Sequence, residues 1–233
     1  KKYNLIALPV VDKKGVLVGI ITIDDLMDVG DEEATEDFHK LGALTAEREG
    51  FKVTNVFEAS VRLLYQARII WLMLLVVMSI FSGAAMSLFQ KVITEHITLV
   101  FFLPVLIGSG GNAGSQSSTL MVRALSLGDV KVGDWFKMIG KEFLVSGSLG
   151  LTMGLGITAI GLMRGGFEIA SVVGLSMLLI VINGSVIGMS MPFLFTKFKK
   201  DPATASGPLV ASITDICGVL IYFGIAEWYL NLF

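Results

Sequence analysis

The chain has 233 residues, of which 54% are hydrophobic and only 16% charged, with a mean hydropathy of +0.76. A soluble domain carries about 25% charged residues, so an ordinary water-soluble globule is excluded and a membrane protein is implied. The net charge of −2 hides a division, because residues 1–60 hold 7 Lys+Arg against 12 Asp+Glu while residues 61–233 hold 11 against 8: an acidic aqueous head on a lipid-embedded body with basic edges, with nothing to favour a nucleic-acid partner.

In chain order, the start Lys1-Lys2-Tyr3 lacks both an initiator Met and a signal-peptide pattern, which reads as a fragment whose N-terminal part is missing. Residues 6–11 and 16–23 read as two β-branched strands around the turn Asp12-Lys13-Lys14-Gly15, with Asp24 as the cap of a following helix. That unit is too small to bury a core alone. After a break at Gly30, residues 32–48 read as helix, and residues 51–64 as an amphipathic stretch lying on the inner membrane surface.

Five stretches free of formal charge follow, at 69–90, 97–122, 143–163, 169–196 and 206–226, the last with Asp215 in its interior. Each reaches the roughly 20 residues needed to cross about 30 Å of hydrocarbon, so the fold class is an all-α membrane protein with five transmembrane helices. With the head inside, Arg62, Arg68, Arg123, Lys131, Lys137, Lys141, Lys197, Lys199 and Lys200 lie at inner ends, and only Lys91 and Arg164 at outer ends. The positive-inside rule then places the N-terminus in the cytosol and the C-terminus outside. Trp71 and Trp228 fall at opposite ends of spans, and residues 128–141, with Trp135 and Phe136, read as a second interfacial segment. Small residues recur every four positions at Ser146, Gly150 and Gly154, at Gly184 and Gly188, and at Ala203, Gly207 and Ala211, a spacing that lets helix backbones approach closely. The odd number of spans argues against a complete inverted repeat in one chain, so a symmetric pathway needs a second copy.

Three groups of residues carry chemistry. Asp215 lies midway along an apolar span, where an ionised carboxylate costs on the order of 2.5–3.5 kcal/mol. It reads either as a protonated acid bonded to a neighbouring helix or as a cation site, and Gly207, Ala211 and Gly218 on the same face leave room for an ion with water attached. Residues 108–118, including Gly111, Asn112 and Gly114, are rich in glycine, amide and hydroxyl groups. They read either as distorted backbone whose carbonyls line a pore or as a tight helix crossing through Gly110 and Gly114. Residues 24–37 hold eight carboxylates and no Lys or Arg. A charge run is ordinarily a solvated face, but Asp25 with Asp28, and Glu33 with Glu36 and Asp37, share helix edges that could hold Mg²⁺ or Ca²⁺ through hard oxygen ligands. Cys217 as the sole cysteine excludes an intrachain disulfide and a cysteine metal cluster, and the only histidines, His39 and His96, fall on opposite sides of the membrane. An enzyme is therefore not expected.

Four motifs in sequence resemble the MgtE-type magnesium channels along essentially the whole chain. They are Leu8-Pro9-Val10-Val11-Asp12 through Gly19 to Asp25, which is similar to the closing half of a CBS domain; Glu33-Ala34-Thr35-Glu36-Asp37-Phe38-His39-Lys40-Leu41-Gly42-Ala43; Pro104 with Gly110 to Gln116; and Asp201-Pro202-Ala203 through Pro208-Leu209-Val210 to Gly218. The resemblance implies a CBS fragment over 1–30, an acidic connecting (plug) helix over 31–60 centred on about 35–57, and a pore domain over 61–233. It implies a homodimer in the plasma membrane with the pore on its two-fold axis, in contact with membrane lipids. It makes Asp215 the Mg²⁺-selecting carboxylate, with Gly111, Asn112, Gly114, Gly207 and Ala211 along the pore. Asp25, Asp28, Glu33, Glu36 and Asp37 become the cytosolic Mg²⁺ sensor that holds the closed state. ATP binding by some CBS domains of the family would involve residues 22–25. The chain departs from the family pattern at Gly207, where a polar residue is frequent, and at Ser115, where some members have Asn. A divalent-cation carrier driven by H⁺ or Na⁺, and a membrane-anchored CBS signalling module, are the alternatives.

Overall fold

The computed structural model describes residues 6–44, 57 and 59–230, and these fall into two units, one ending at His39 and one beginning at Lys40. The first unit opens with an antiparallel hairpin of β1 (Ala7–Val11) and β2 (Leu17–Thr22), in which Ala7 pairs with Thr22 and Val10 with Gly19. The turn closes because the Asp12 carboxylate accepts from the backbone N–H groups of Lys14 and Val16, while Gly15 takes φ 81°, open to glycine without strain. Most of the hairpin's apolar side chains stay exposed, and α1 (Ile23–Leu41) has none buried, as expected of a unit too small for its own core.

Two local expectations change here. Helix α1 runs unbroken through Gly30, since one interior glycine costs only about 1 kcal/mol and does not by itself end a helix. The cap is Thr22 rather than Asp24. The Asp25 carboxylate accepts from the Thr22 hydroxyl at 2.6 Å and from its backbone N–H at 2.9 Å.

These two bonds, the hydroxyl's first, hold the Asp25 carboxyl below its ordinary pKa. A folded value below the unfolded one means stabilisation that is present at neutral pH and lost as pH falls through the ordinary carboxylate value toward the lowered one. The protection factor of the Thr22 amide, the free-peptide exchange rate at the same pH divided by its own, is expected to fall in wild type only in acid and already at neutral pH in Asp25→Asn; equal neutral protection would remove the cap assignment.

The second unit is a helical bundle. Ser60 caps α2 (Val61–Ser87) by accepting from the Leu63 N–H, and only Ala67 and Ala85 of this helix are buried. A short α3 (Gln90–Glu95) and a 3-10 turn (Ile97–Phe102) lead into α4 (Leu103–Ser126), with Pro104 in its first turn where no intrahelical N–H is needed. Helix α5 (Trp135–Lys197) is 63 residues long but breaks at Gly166, whose φ of 73° and ψ of −170° are not helical. Its two arms, 135–165 and 167–197, fold back antiparallel: Gly161 meets Ala170, Gly154 meets Gly174, and Gly150 meets Leu178. After a 3-10 turn (Pro202–Thr204), α6 (Gly207–Leu230) completes the bundle. Among the described residues four helices are long and apolar enough to cross a membrane when α5 is counted as one. This is a multi-pass membrane protein.

The core joins Leu99, Phe102 and Leu106 to Val173, Met177 and Ile180 of the second α5 arm and to Tyr222 and Phe223 of α6. Tyr222 is fully buried, so its hydroxyl needs a partner and donates to the Leu99 carbonyl at 2.8 Å. Trp135, expected in an interfacial loop, begins α5 instead and packs on a second cluster around Met121, Met189 and Phe193. Lys40, at the start of this unit, forms an ion pair with Asp201.

Candidate metal-ion site

Glycine decides how close the central helices come. Gly110 and Gly114 of α4 press against Gly184 and Gly188 of the second α5 arm, so closely that a Cβ on Gly188 would lie 1.9 Å from the Gly114 carbonyl oxygen. Of the two readings of 108–118 the backbone is the unbroken helix with a tight crossing through Gly110 and Gly114, not the distorted one. On its other side α4 runs antiparallel to α6, where Ser118 donates to the Ala205 carbonyl at 2.9 Å and Ser115 to the Gly207 carbonyl at 3.3 Å.

This seam positions Asp215. An ideal Cβ on Gly111 would lie 3.4 Å from the Ala211 Cβ and 3.6 Å from the Asp215 Oδ1, so Gly111, Ala211 and Asp215 meet at one level of the bundle. Asp215 is half-buried and also lines a cleft of about 280 Å³ between α2, α4 and α6, beside Ser79, Ser82 and Ser212. Gly207 lies two turns earlier in α6, against Ser115. Gly114 is enclosed by Gly184 and Val210, and Asn112 lies on the exposed side of α4.

The α1 carboxylates Asp25, Asp28, Glu33, Glu36 and Asp37 are all on one helix of the first unit, with Asp25 committed in part to Thr22. Among the described residues no three His, Cys, Asp or Glu side chains converge as a metal cluster would require. Either carboxylate site thus needs water or further chains to complete six oxygens around a cation. The expected connecting segment falls partly outside the described residues, at 45–56 and 58, as does part of the amphipathic stretch at 51–64. Sequence reasoning passed over Ser79, Ser82 and Ser212; the placement of Ser212 three residues before Asp215, on the same helical side, was the one available signal.

Comparison with known proteins follows the same outline. Residues 103–225 match the family model described as MgtE, divalent cation transporter, and residues 1–32 match that of the CBS domain. Proteins named magnesium transporter MgtE are similar over nearly the full chain: 40% identical over 229 residues in Thermus thermophilus, 34% over 232 in Bacillus subtilis and 31% over 234 in Enterococcus faecalis. These alignments cover 98%, 99% and 100% of the chain and 50% of each relative, so the chain spans about half the length of the curated relatives it matches. With its transporter-model match running from the start of α4 almost to the end of α6, the chain belongs to the MgtE family of divalent cation transporters.

Proposed function

We propose that this chain forms the membrane pathway of a Mg²⁺ channel that admits Mg²⁺ to the cytosol and is closed by cytosolic Mg²⁺. The observation that carries the reading is Asp215, a half-buried carboxylate midway along an apolar helix, at the level where Gly111 meets Ala211 and beside the cleft between α2, α4 and α6. Mg²⁺ gives up its waters reluctantly and prefers six oxygens, so two Asp215 carboxylates across the axis of a homodimer would hold the hydrated ion through its waters. The charge selects for divalent ions, and indirect contact permits release.

Five crossings fit this reading. Each arm of α5 has about 31 residues and a length of about 46 Å, against about 30 Å of hydrocarbon. Helix α4 runs parallel to the second arm and antiparallel to α6, which is the order of directions five alternating crossings require. The basic loops then put the N-terminus in the cytosol and the C-terminus outside, with residues 1–30 as CBS fragment, 31–60 as connecting segment and 61–233 as pore domain.

Gating follows by linkage. If Mg²⁺ binds the α1 carboxylates more tightly when they are drawn together against other acidic surfaces, rising cytosolic Mg²⁺ favours the closed population. Asp28→Asn with Glu33→Gln is expected to keep channels open at internal Mg²⁺ that silences wild type, raising the half-inhibitory concentration by about tenfold in patch recordings. Unchanged inhibition would remove the sensor role. Discrete unitary currents in the same recordings separate a channel from a coupled carrier.

A further inference from the structure

We propose that Ser82 and Ser212 set the cation preference of the path, by accepting hydrogen bonds from the water shell of a divalent ion held in the cleft beside Asp215. The inference rests on the reading of Asp215 as the ion-path carboxylate and adds the uncharged groups that complete its surroundings. Three observations lead to it. The first is size: six waters at about 30 Å³ each take up about 180 Å³, and the cleft provides about 280 Å³. A hydrated ion fits where a bare one would be loose.

The second is chemistry. Helix α2 turns Ser79, Ser82 and Met86 toward the cleft, α6 contributes Ser212 and Asp215, and Pro104 forms part of the wall on α4. Ser79 spends its proton on the Leu75 carbonyl at 2.9 Å and keeps its oxygen lone pairs for a water. Among the described residues no intrachain hydrogen bond engages the hydroxyl of Ser82 or Ser212, so the oxygen of each can accept from a metal-bound water, whose hydrogens point away from the ion. Met86 and Pro104 bring apolar surface beside these groups, where hydrogen bonds strengthen as the local dielectric falls.

The third is what the cleft lacks. Among the described residues Asp215 is the one carboxylate that a single chain brings to the cleft lining. Ca²⁺ takes six to eight direct oxygen ligands in flexible geometry, which an Asp215 from each subunit standing off at water-shell distance does not supply, whereas Mg²⁺ retains its waters and needs only partners for them. The hydroxyls therefore favour Mg²⁺ over Ca²⁺ by recognising the shell rather than the ion.

The test compares Mg²⁺ and Ca²⁺ uptake into proteoliposomes. Ser82→Ala with Ser212→Ala is expected to lower the Mg²⁺-to-Ca²⁺ ratio about tenfold, and each single alanine variant about threefold. The corresponding threonine pair, which keeps both hydroxyls, should return the ratio to near wild type. A wild-type ratio in the alanine variants, as expected if the cleft holds only a lipid chain, overturns the inference; so does a ratio that stays low in the threonine pair, which would trace the effect to packing. Asp215→Asn in the same series keeps the two readings apart. Uptake lost in Asp215→Asn with an unchanged ratio in the serine variants rejects the serines alone, whereas uptake retained in Asp215→Asn rejects the pore reading beneath them.

Discussion

Replacing Asp215 by alanine is expected to reduce Mg²⁺ uptake into proteoliposomes by at least about 100-fold, while the protein inserts and folds at least as well as wild type. The two halves of this result have separate causes. A carboxylate about 5 Å from a water-shelled ion, at an effective dielectric of about 20, contributes about 3 kcal/mol per unit of ion charge and twice that for a divalent cation. Losing that attraction raises the barrier to ion entry by more than the water that replaces the side chain can restore. Folding moves the other way, because an intramembrane carboxylate is itself unfavourable by on the order of 2.5–3.5 kcal/mol. Asp215→Asn keeps the shape and loses the charge, so it should match alanine in uptake. Uptake within a few fold of wild type in both variants, with normal protein levels, would assign Asp215 a structural hydrogen bond instead of the ion path.

How much of this was legible in the sequence depends on whether a feature is local. The charge-free stretches mark the long helices because lipid penalises every unpaired charge wherever it falls, and Arg164-Gly165-Gly166 marks the break in α5 because a charge and two glycines interrupt an apolar run. Local rules overreached at Gly30, which helix α1 passes through, and at Asp24, where Thr22 two positions earlier precedes the first helical residue and the Asp25 carboxylate reaches back to its N–H and hydroxyl. At 108–118 the sequence left two readings open, a distorted pore-lining backbone and a tight crossing through Gly110 and Gly114. Only the partners Gly184 and Gly188, some seventy residues away, show that Gly110 and Gly114 exist for close approach while Gly111 faces Asp215. The same limit hid Ser82 and Ser212. A serine in an apolar helix ordinarily satisfies itself on the preceding turn, as Ser79 does, and only the meeting of α2, α4 and α6 places these hydroxyls beside an acid. The pairing of Lys40 with Asp201 crosses 161 positions and leaves no local trace.

The closeness of α4 to the second α5 arm makes the second large prediction. Gly188→Ala is expected to destabilise the protein by about 3 kcal/mol or more, and Gly184→Ala by a similar amount. A Cβ at Gly188 would lie 1.9 Å from the Gly114 oxygen, 2.6 Å from its carbonyl carbon and 2.7 Å from its Cα; at Gly184 it would lie 2.3 Å from the Gly110 oxygen. Every one of these atoms is backbone, so no side chain can rotate away and the two helices must separate by more than 1 Å. Gly156 in the first arm provides the comparison, since nothing lies within 4 Å of a Cβ there. Gly156→Ala should be neutral or stabilising, because alanine is the better helix former by about 1 kcal/mol. Thermal unfolding in detergent decides between them, with a midpoint lowered in Gly188→Ala and unchanged or raised in Gly156→Ala. Equal midpoints would mean that the helices do not approach this closely. Function adds a second readout, because α4 also carries Gly111, about a quarter-turn around the helix from the crossing. A helix pushed off the α5 arm shifts Gly111 relative to Ala211 and Asp215, so any Gly188→Ala protein that still folds should transport Mg²⁺ more slowly than its folded fraction accounts for.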